Sequence, residues 1–146
     1  VVHRLARSDV VLCAAPAYLD QHSRPQQPQD LAGHALLTKP LPVTLPRSGL
    51  VLWGPSGSKG LPESAEVLPE QPLTLASAHP GLLRTAALAG LGVATLPSYM
   101  LDTALHSQAL ERVLPDWRVD RLTLWATTPS RRHVPARTRA VLDLLR

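Results

Sequence analysis

The 146-residue sequence contains one cysteine, no phenylalanine and few aromatic residues of any kind. A single cysteine, Cys13, excludes an internal disulfide and is compatible with a reducing compartment, so we expect a cytoplasmic protein. No apolar run approaches the roughly 20 residues that span a bilayer, and no signal peptide is recognised, so no membrane partner is expected. Because phenylalanine is absent, leucine, valine and alanine must build the core.

The residue types that enzymes and metal sites use are present, but they are not arranged for that chemistry. The six histidines are dispersed without metal-ligand spacing, and carboxylates do not cluster with them. No Gly-x-Ser-x-Gly nucleophile motif occurs. Segment 54–60 is rich in glycine but lacks the Gly-Lys-Ser/Thr ending of a phosphate loop, so it predicts a turn. We therefore expect no catalytic residue, no metal and no cofactor.

Positive charge comes mainly from arginine, and the formal net charge is +4. The basic residues are scattered except in the last 16 residues, 131–146. Their spacing is typical of the outer face of an amphipathic helix, although contact with phosphates is the alternative. The sequence predicts that this helix starts at Pro135 and turns Val141, Leu144 and Leu145 inward.

Segment 80–97 carries the strongest structural signal. Leucine and alanine at helical spacing predict a helix, and Gly90 and Gly92 follow where it ends. Residues 93–96 form a short apolar run that suits a strand buried on both faces of a parallel sheet. A helix that returns to such a strand is an α/β element. Further strands are predicted at 10–15, 35–38, 50–53, 72–75, 110–114 and 122–126, and further helices at 16–22 and 98–107.

Five segments, in this order, resemble the effector-binding domain of LysR-type transcriptional regulators. They are VLCAAPAYL (11–19), PQDLAGHALL (28–37), AALAGLGVATLP (86–97), LERVLPDW (110–117) and PSRRHVPARTRAVLDLL (129–145). The resemblance implies an α/β, periplasmic-binding-protein-like fold of type II, with two lobes joined by crossing strands and a cleft between them. Residues 13–111 would form the second lobe. Residues 1–12 and 112–146 would supply the crossing strands and the remainder of the first lobe.

The family's winged helix-turn-helix, linker helix and opening β-α-β portion have no counterpart in this sequence. The first lobe is therefore expected to be incomplete on its N-terminal side, and the chain to be part of a longer regulator. Its remaining strands and helix would expose a sheet edge and unpaired apolar surface.

The resemblance also implies a function. A small metabolite would bind between the lobes, the sensory domain would form homodimers, and the whole regulator would form tetramers that contact DNA only through the missing N-terminal domain. The alternative is a solute-binding receptor domain of a transport system. An enzyme comes last, because no catalytic constellation is evident.

Polar residues that follow predicted strands or open the main helix are the candidates for ligand binding, since a cleft needs polar groups and helix N-termini aimed at the ligand. A lysine and a helix N-terminus favour an anionic effector. The competing interpretations are that Ser77 is only a helix N-cap and Lys39 only a solvated charge. The candidates are Thr38, Lys39, Ser77, His79, Pro97 and Ser98.

Three tryptophans, Trp53, Trp117 and Trp125, are widely separated in the sequence. We expect them to serve in the core or in subunit contacts and not as a platform for stacked bases.

Overall fold

A computed structural model describes residues 1–41, 49–56, 62–128 and 134–145. This part of the chain contains both strands and helices, interspersed along the sequence, which confirms the predicted α/β class. Short 3-10 helices lie at Pro28–Gly33 (two turns) and Ser98–Met100 (one turn). The elements are β1 (Val2–Ala14), α1 (Pro16–His22), β2 (Leu36–Thr38), β3 (Leu50–Ser56), β4 (Pro62–Val67), β5 (Leu75–Ala76), α2 (Pro80–Leu88), β6 (Val93–Pro97), α3 (Asp102–His106), β7 (Glu111–Val113), β8 (Asp120–Thr127) and α4 (Ala136–Leu144).

The main sheet has the strand order β5-β2-β6-β1-β7, and β8 also pairs with β1. Strand β2 runs parallel to both β5 and β6. Strand β1 is antiparallel to all three of its partners, with β6 along its C-terminal half and β8 along Val2–Val10. The N-terminal half of β1 and the whole of β8 therefore form a two-stranded ribbon that extends from the sheet.

The core lies on both faces of β1, whose last five residues are buried. Leu12 and Ala14 face a cluster that includes residues of α1, β2 and the β3–β4 hairpin. Val11 and Cys13 face the opposite cluster, which includes residues of α2 and α3. Each fully buried leucine or valine side chain contributes about 1.5–3 kcal/mol through removal of its apolar surface from water. A strand apolar on both faces is thus the expected centre of an α/β layer.

Cys13 is fully buried in this strand. Desolvation raises the pKa of the Cys13 thiol to about 12, and the nearby positive charge of Arg112 lowers it only in part. The thiol is therefore protonated at neutral pH, as suits a packing residue.

Three local predictions were wrong. The strand predicted at 72–75 begins only at Leu75. The helix predicted over 98–107 is broken at Leu101, because this fully buried side chain turns into the cluster beneath α2. The turn predicted from residue 54 is strand β3 as far as Ser56, and residues 57–60 lie outside the described part of the chain.

The terminal helix α4 forms as predicted, but its apolar residues do not point inward. Val141, Leu144 and Leu145 are 55%, 86% and 53% exposed, and no described residue of α4 is buried. On the ribbon, Leu124 and Trp125 are also exposed. The physical reason is that no described element covers these side chains, and Leu124 and Trp125, as consecutive residues of a strand, are exposed on opposite faces of the ribbon. Arg131, Arg132 and Arg146 lie outside the described residues.

A buried polar pair joins α1 to the start of β2. The Tyr18 hydroxyl accepts a hydrogen bond from the Ala35 N–H (3.1 Å) and lies 2.9 Å from His34 Nδ1, to which it can donate. His22 stacks on the Tyr18 ring at a centroid distance of 4.3 Å. Desolvation, together with the nearby His22, lowers the pKa of the His34 imidazole below its ordinary value of 6.5. His34 is thus held neutral, as an acceptor.

We predict that acidification destabilises the protein through His34. Because the folded-state pKa is the lower one, the unfolded chain binds a proton first, and stability falls as the pH drops below the ordinary value of 6.5. Thermal unfolding between about pH 7.5 and about pH 5.5 should show a smaller decrease in Tm for His34→Asn, which keeps an acceptor but cannot titrate. His106→Asn, at an exposed histidine, is the matched control. An unchanged pH dependence in His34→Asn would contradict this assignment.

Candidate ligand-binding site

Three parallel strands end at the same edge of the main sheet. Thr38 is the last residue of β2, Ala76 the last of β5 and Pro97 the last of β6. In open α/β sheets, ligands bind at the carboxyl ends of the strands. We call this the carboxyl edge, and four of the predicted site residues (Thr38, Ser77, Pro97 and Ser98) lie at it.

The hydroxyl of Thr38 is engaged inside the sheet. Thr38 Oγ1 lies 2.6 Å from Thr95 Oγ1 of β6, and both residues are buried, with 3% and 5% of their surface exposed. Either hydroxyl can donate to the other. Sequence reasoning missed Thr95 because it lies within an apolar run, but the parallel pairing of Leu37 with Ala94 sets the two threonines side by side.

Ser77 connects β2 to the start of α2. Its N–H donates to the Thr38 carbonyl (3.1 Å), and its hydroxyl accepts from the His79 N–H (3.1 Å). Helix α2 begins at Pro80, so His79 occupies the N-cap position and has no side-chain cap. The interpretation of Ser77 as the N-cap was therefore wrong. Its hydroxyl instead closes a serine turn, because Pro80 takes the first helical position and delays the helix.

Pro97 and Ser98 bring the edge into contact with β1. Pro97 is buried and pairs with Val10 of β1. Ser98 Oγ lies 3.0 Å from Ser8 Oγ, which belongs to the ribbon part of β1. Ser8 was not among the predicted site residues, because it is 90 positions away in sequence and no local pattern identifies it. The pair links the edge directly to the ribbon.

Lys39 and His79 follow the edge on its exposed side. The Lys39 ammonium makes no ion pair with any residue in the described ranges, where the ion pairs are Arg24–Asp20, Arg24–Glu111 and Arg121–Asp9. The edge thus combines the half-buried hydroxyl groups of Ser77 and Ser98 with a positive charge that no described residue pairs. That combination can hold a small polar or anionic molecule.

Other chemistry finds no support among the residues that the structure describes. No group of three histidine, cysteine or carboxylate side chains is arranged to hold a metal ion in those ranges. Over the same ranges, no helix combines the length and the apolar character that crossing a bilayer requires.

The parallel sheet with its carboxyl edge, its flanking helices and its antiparallel crossing strand defines a domain of the periplasmic-binding-protein-like type II class. The LysR substrate binding domain family model matches residues 1–146. The chain belongs to this family.

Sequence comparison finds transcriptional regulators. The chain is 30% identical over 152 residues to the HTH-type regulator YhjC of Escherichia coli K12, a match that covers 99% of this chain and 46% of that protein. It is 33% identical over 141 residues to the HTH-type regulator PtxR of Pseudomonas aeruginosa. That match covers 93% of this chain and 40% of PtxR. The chain therefore spans less than half the length of these curated relatives.

Structure comparison finds regulatory domains of the same class. The full-length virulence activator AphB of Vibrio cholerae is 23% identical. It aligns over 99% of this chain and 46% of the AphB chain, with a TM-score of 0.76. The regulatory domain of CrgA from Neisseria meningitidis is 25% identical. It aligns over 99% of this chain and 66% of the CrgA domain, with a TM-score of 0.72. These domains have the type II fold, so the fold class and the family predicted from sequence are confirmed.

We predict that the threonine pair stabilises the sheet only as a pair. Thr38→Val or Thr95→Val alone leaves one buried hydroxyl unpaired and should cost about 1–3 kcal/mol, whereas the double variant should recover most of that loss. Urea unfolding of the wild type, both single variants and the double variant measures the coupling. Strictly additive losses would contradict the pairing.

Proposed function

We propose that this chain is the effector-sensing part of a LysR-type transcriptional regulator, and that it binds a small anionic metabolite at the carboxyl edge. The observation that carries the proposal is the convergence of Thr38, Ser77 and Ser98 at the ends of three parallel strands, beside the charge of Lys39, which forms no ion pair with a described residue. Residues 13–111 form the second lobe in this proposal. Residues 1–12 and 112–146 belong to the crossing strands and the first lobe.

The contact between Ser8 and Ser98 suggests how binding is transmitted. An effector that takes the Ser98 hydroxyl as a partner competes with Ser8 for it, and Ser8 lies on the strand that crosses between the lobes. The effector then favours one arrangement of the ribbon over another, which is a shift between pre-existing states. The shift is as large as the effector's difference in affinity for the two states.

The partners follow from the same family membership. The sensory domain associates as a homodimer, the whole regulator as a tetramer, and DNA is contacted through a winged helix-turn-helix domain outside this chain. Effector binding alters the packing of subunits and so the spacing of the DNA-binding domains. The protein works in the cytoplasm and is not an enzyme in this proposal; its matched relatives are regulators.

We predict that small organic acids raise the Tm of the protein in a way that depends on Lys39. At a concentration of about 100 times Kd, a ligand stabilises the folded state by about 2.7 kcal/mol, which corresponds to a shift of about 5 °C or more. A thermal-shift screen of organic acids on the wild type identifies responsive compounds. Lys39→Gln should reduce the shift, and Lys39→Arg should retain most of it.

Arg137→Gln, at an exposed cation on α4, is the matched control and should leave the shift unchanged. A flat response to every acid would overturn the anionic effector. A response that is equal in Lys39→Gln and the wild type would remove Lys39 from the site.

A further inference from the structure

Strands β2 and β6, which both end at the carboxyl edge, are joined at their starts by one residue, Ala35. The Ala35 carbonyl accepts a hydrogen bond from the Val93 N–H (2.8 Å), the first residue of β6, and β2 begins directly after Ala35. The two backbones approach so closely that a Cβ on Gly92 would collide with the Ala35 carbonyl. The position of Ala35 therefore sets the start of both strands, whose last residues are Thr38 and Pro97.

The N–H of Ala35 is held by the buried hydroxyl of Tyr18. This hydroxyl accepts from the Ala35 N–H (3.1 Å) and lies 2.9 Å from His34 Nδ1. Tyr18 and His34 are both buried, at 5% and 8% exposure. Because the oxygen accepts from the backbone, its own proton is donated to His34 Nδ1, which must be unprotonated to accept it. The attachment of Ala35 to helix α1 thus depends on the neutral form of one histidine.

Protonation of His34 would place three hydrogen atoms around the Tyr18 oxygen. The Nδ1–H of an imidazolium is a donor, so the tyrosine proton loses its acceptor and can rotate only toward the Ala35 N–H, where two donors face each other. Among the described residues the hydroxyl has no further hydrogen-bond partner. A bond from a charged imidazolium is stronger than one from a neutral backbone N–H, so the bond to Ala35 is the one that breaks.

The charged groups that face His34 come from three parts of the chain. His22 belongs to α1, Asp30 belongs to the 3-10 helix that ends just before His34, and the Glu70 carboxylate approaches the end of that helix. Strands β2 and β6 contain no charged residue. Desolvation and then His22 lower the pKa of His34, and Asp30 opposes them only in part. The imidazole therefore becomes protonated only in acidic solution, below its ordinary pKa of 6.5.

We propose that the Tyr18–His34 pair is a proton-sensitive switch that positions β2 and β6 and thereby sets the geometry of the carboxyl edge. Protonation of His34 releases the start of β2, and the change reaches Thr38, four residues further along the extended chain and about 13 Å away. The consequence for binding rests on the proposed function. An effector that prefers the neutral-pH edge competes with the proton on His34, although the two do not touch.

Movement of the edge on protonation can be measured without any effector. Protein labelled with ¹³C in the histidine rings and the threonine methyl groups is titrated from about pH 7.5 to about pH 5 and followed by NMR. The Thr38 and Thr95 methyl signals should shift with the same midpoint as the His34 ring, whereas the Thr123 methyl on the ribbon should not follow it. Thr38→Ser and Thr95→Ser assign the two edge signals.

Variants separate the switch from other titrating groups. His34→Asn keeps an acceptor but takes up no proton, and Tyr18→Phe removes the hydroxyl, so each should abolish the shared component of the Thr38 and Thr95 shifts. His106→Asn, at an exposed histidine, is the matched control and should leave that component unchanged. Two variants are used so that loss of folding in one leaves the other informative.

Three results would overturn the switch. The threonine methyls do not follow the His34 ring, their shift persists in His34→Asn or Tyr18→Phe, or it disappears in His79→Asn, which would assign it to the exposed histidine beside the edge. Because the titration contains no effector, its failure leaves the proposed function standing. A flat response in the thermal-shift screen likewise leaves the switch standing.

Discussion

The pairing of β1 on both of its edges is the constraint on which the rest of the structure depends. Val10–Ala14 is buried on both faces and pairs with β6 on one side and β7 on the other, so its position fixes two core clusters at once. The same strand continues into the ribbon with β8. The carboxyl edge lies on the β6 side of this strand, whereas β7 and β8 pair with its other side, so one strand connects both parts of the sheet.

Elements with a strong local signal were predicted well from sequence. Helix α2 and strand β6 lie where the apolar spacing and the glycines place them, because both are stabilised by residues within the segment itself. Strand β4 gave no such signal: Pro62–Val67 is mostly polar or small, and it is a strand because it pairs with β3. That pairing depends on tertiary contacts, which a local pattern does not contain.

The candidate site divides in the same way. Thr38 and Ser98 could be predicted because residues at strand ends face a sheet's carboxyl edge, whereas their partners Thr95 and Ser8 come from register and from contacts 57 and 90 residues apart. Ser77 and α4 show the limits of simple patterns. Pro80 shifted the helix start past Ser77, and an amphipathic α4 exposes its apolar face where no described element packs on it.

The buried thiol of Cys13 can report the local opening of the sheet. It is the only cysteine in the sequence, it lies near the C-terminal end of β1, and its side chain is buried in the cluster that includes residues of α2 and α3, so this packing must open before a reagent reaches it. Its alkylation rate therefore measures how often the packing around the central strand opens, and hence the free energy of that opening. No other thiol in the sequence contributes to the signal. A ligand at the carboxyl edge that holds β1 in place would slow this alkylation without contacting the sulfur.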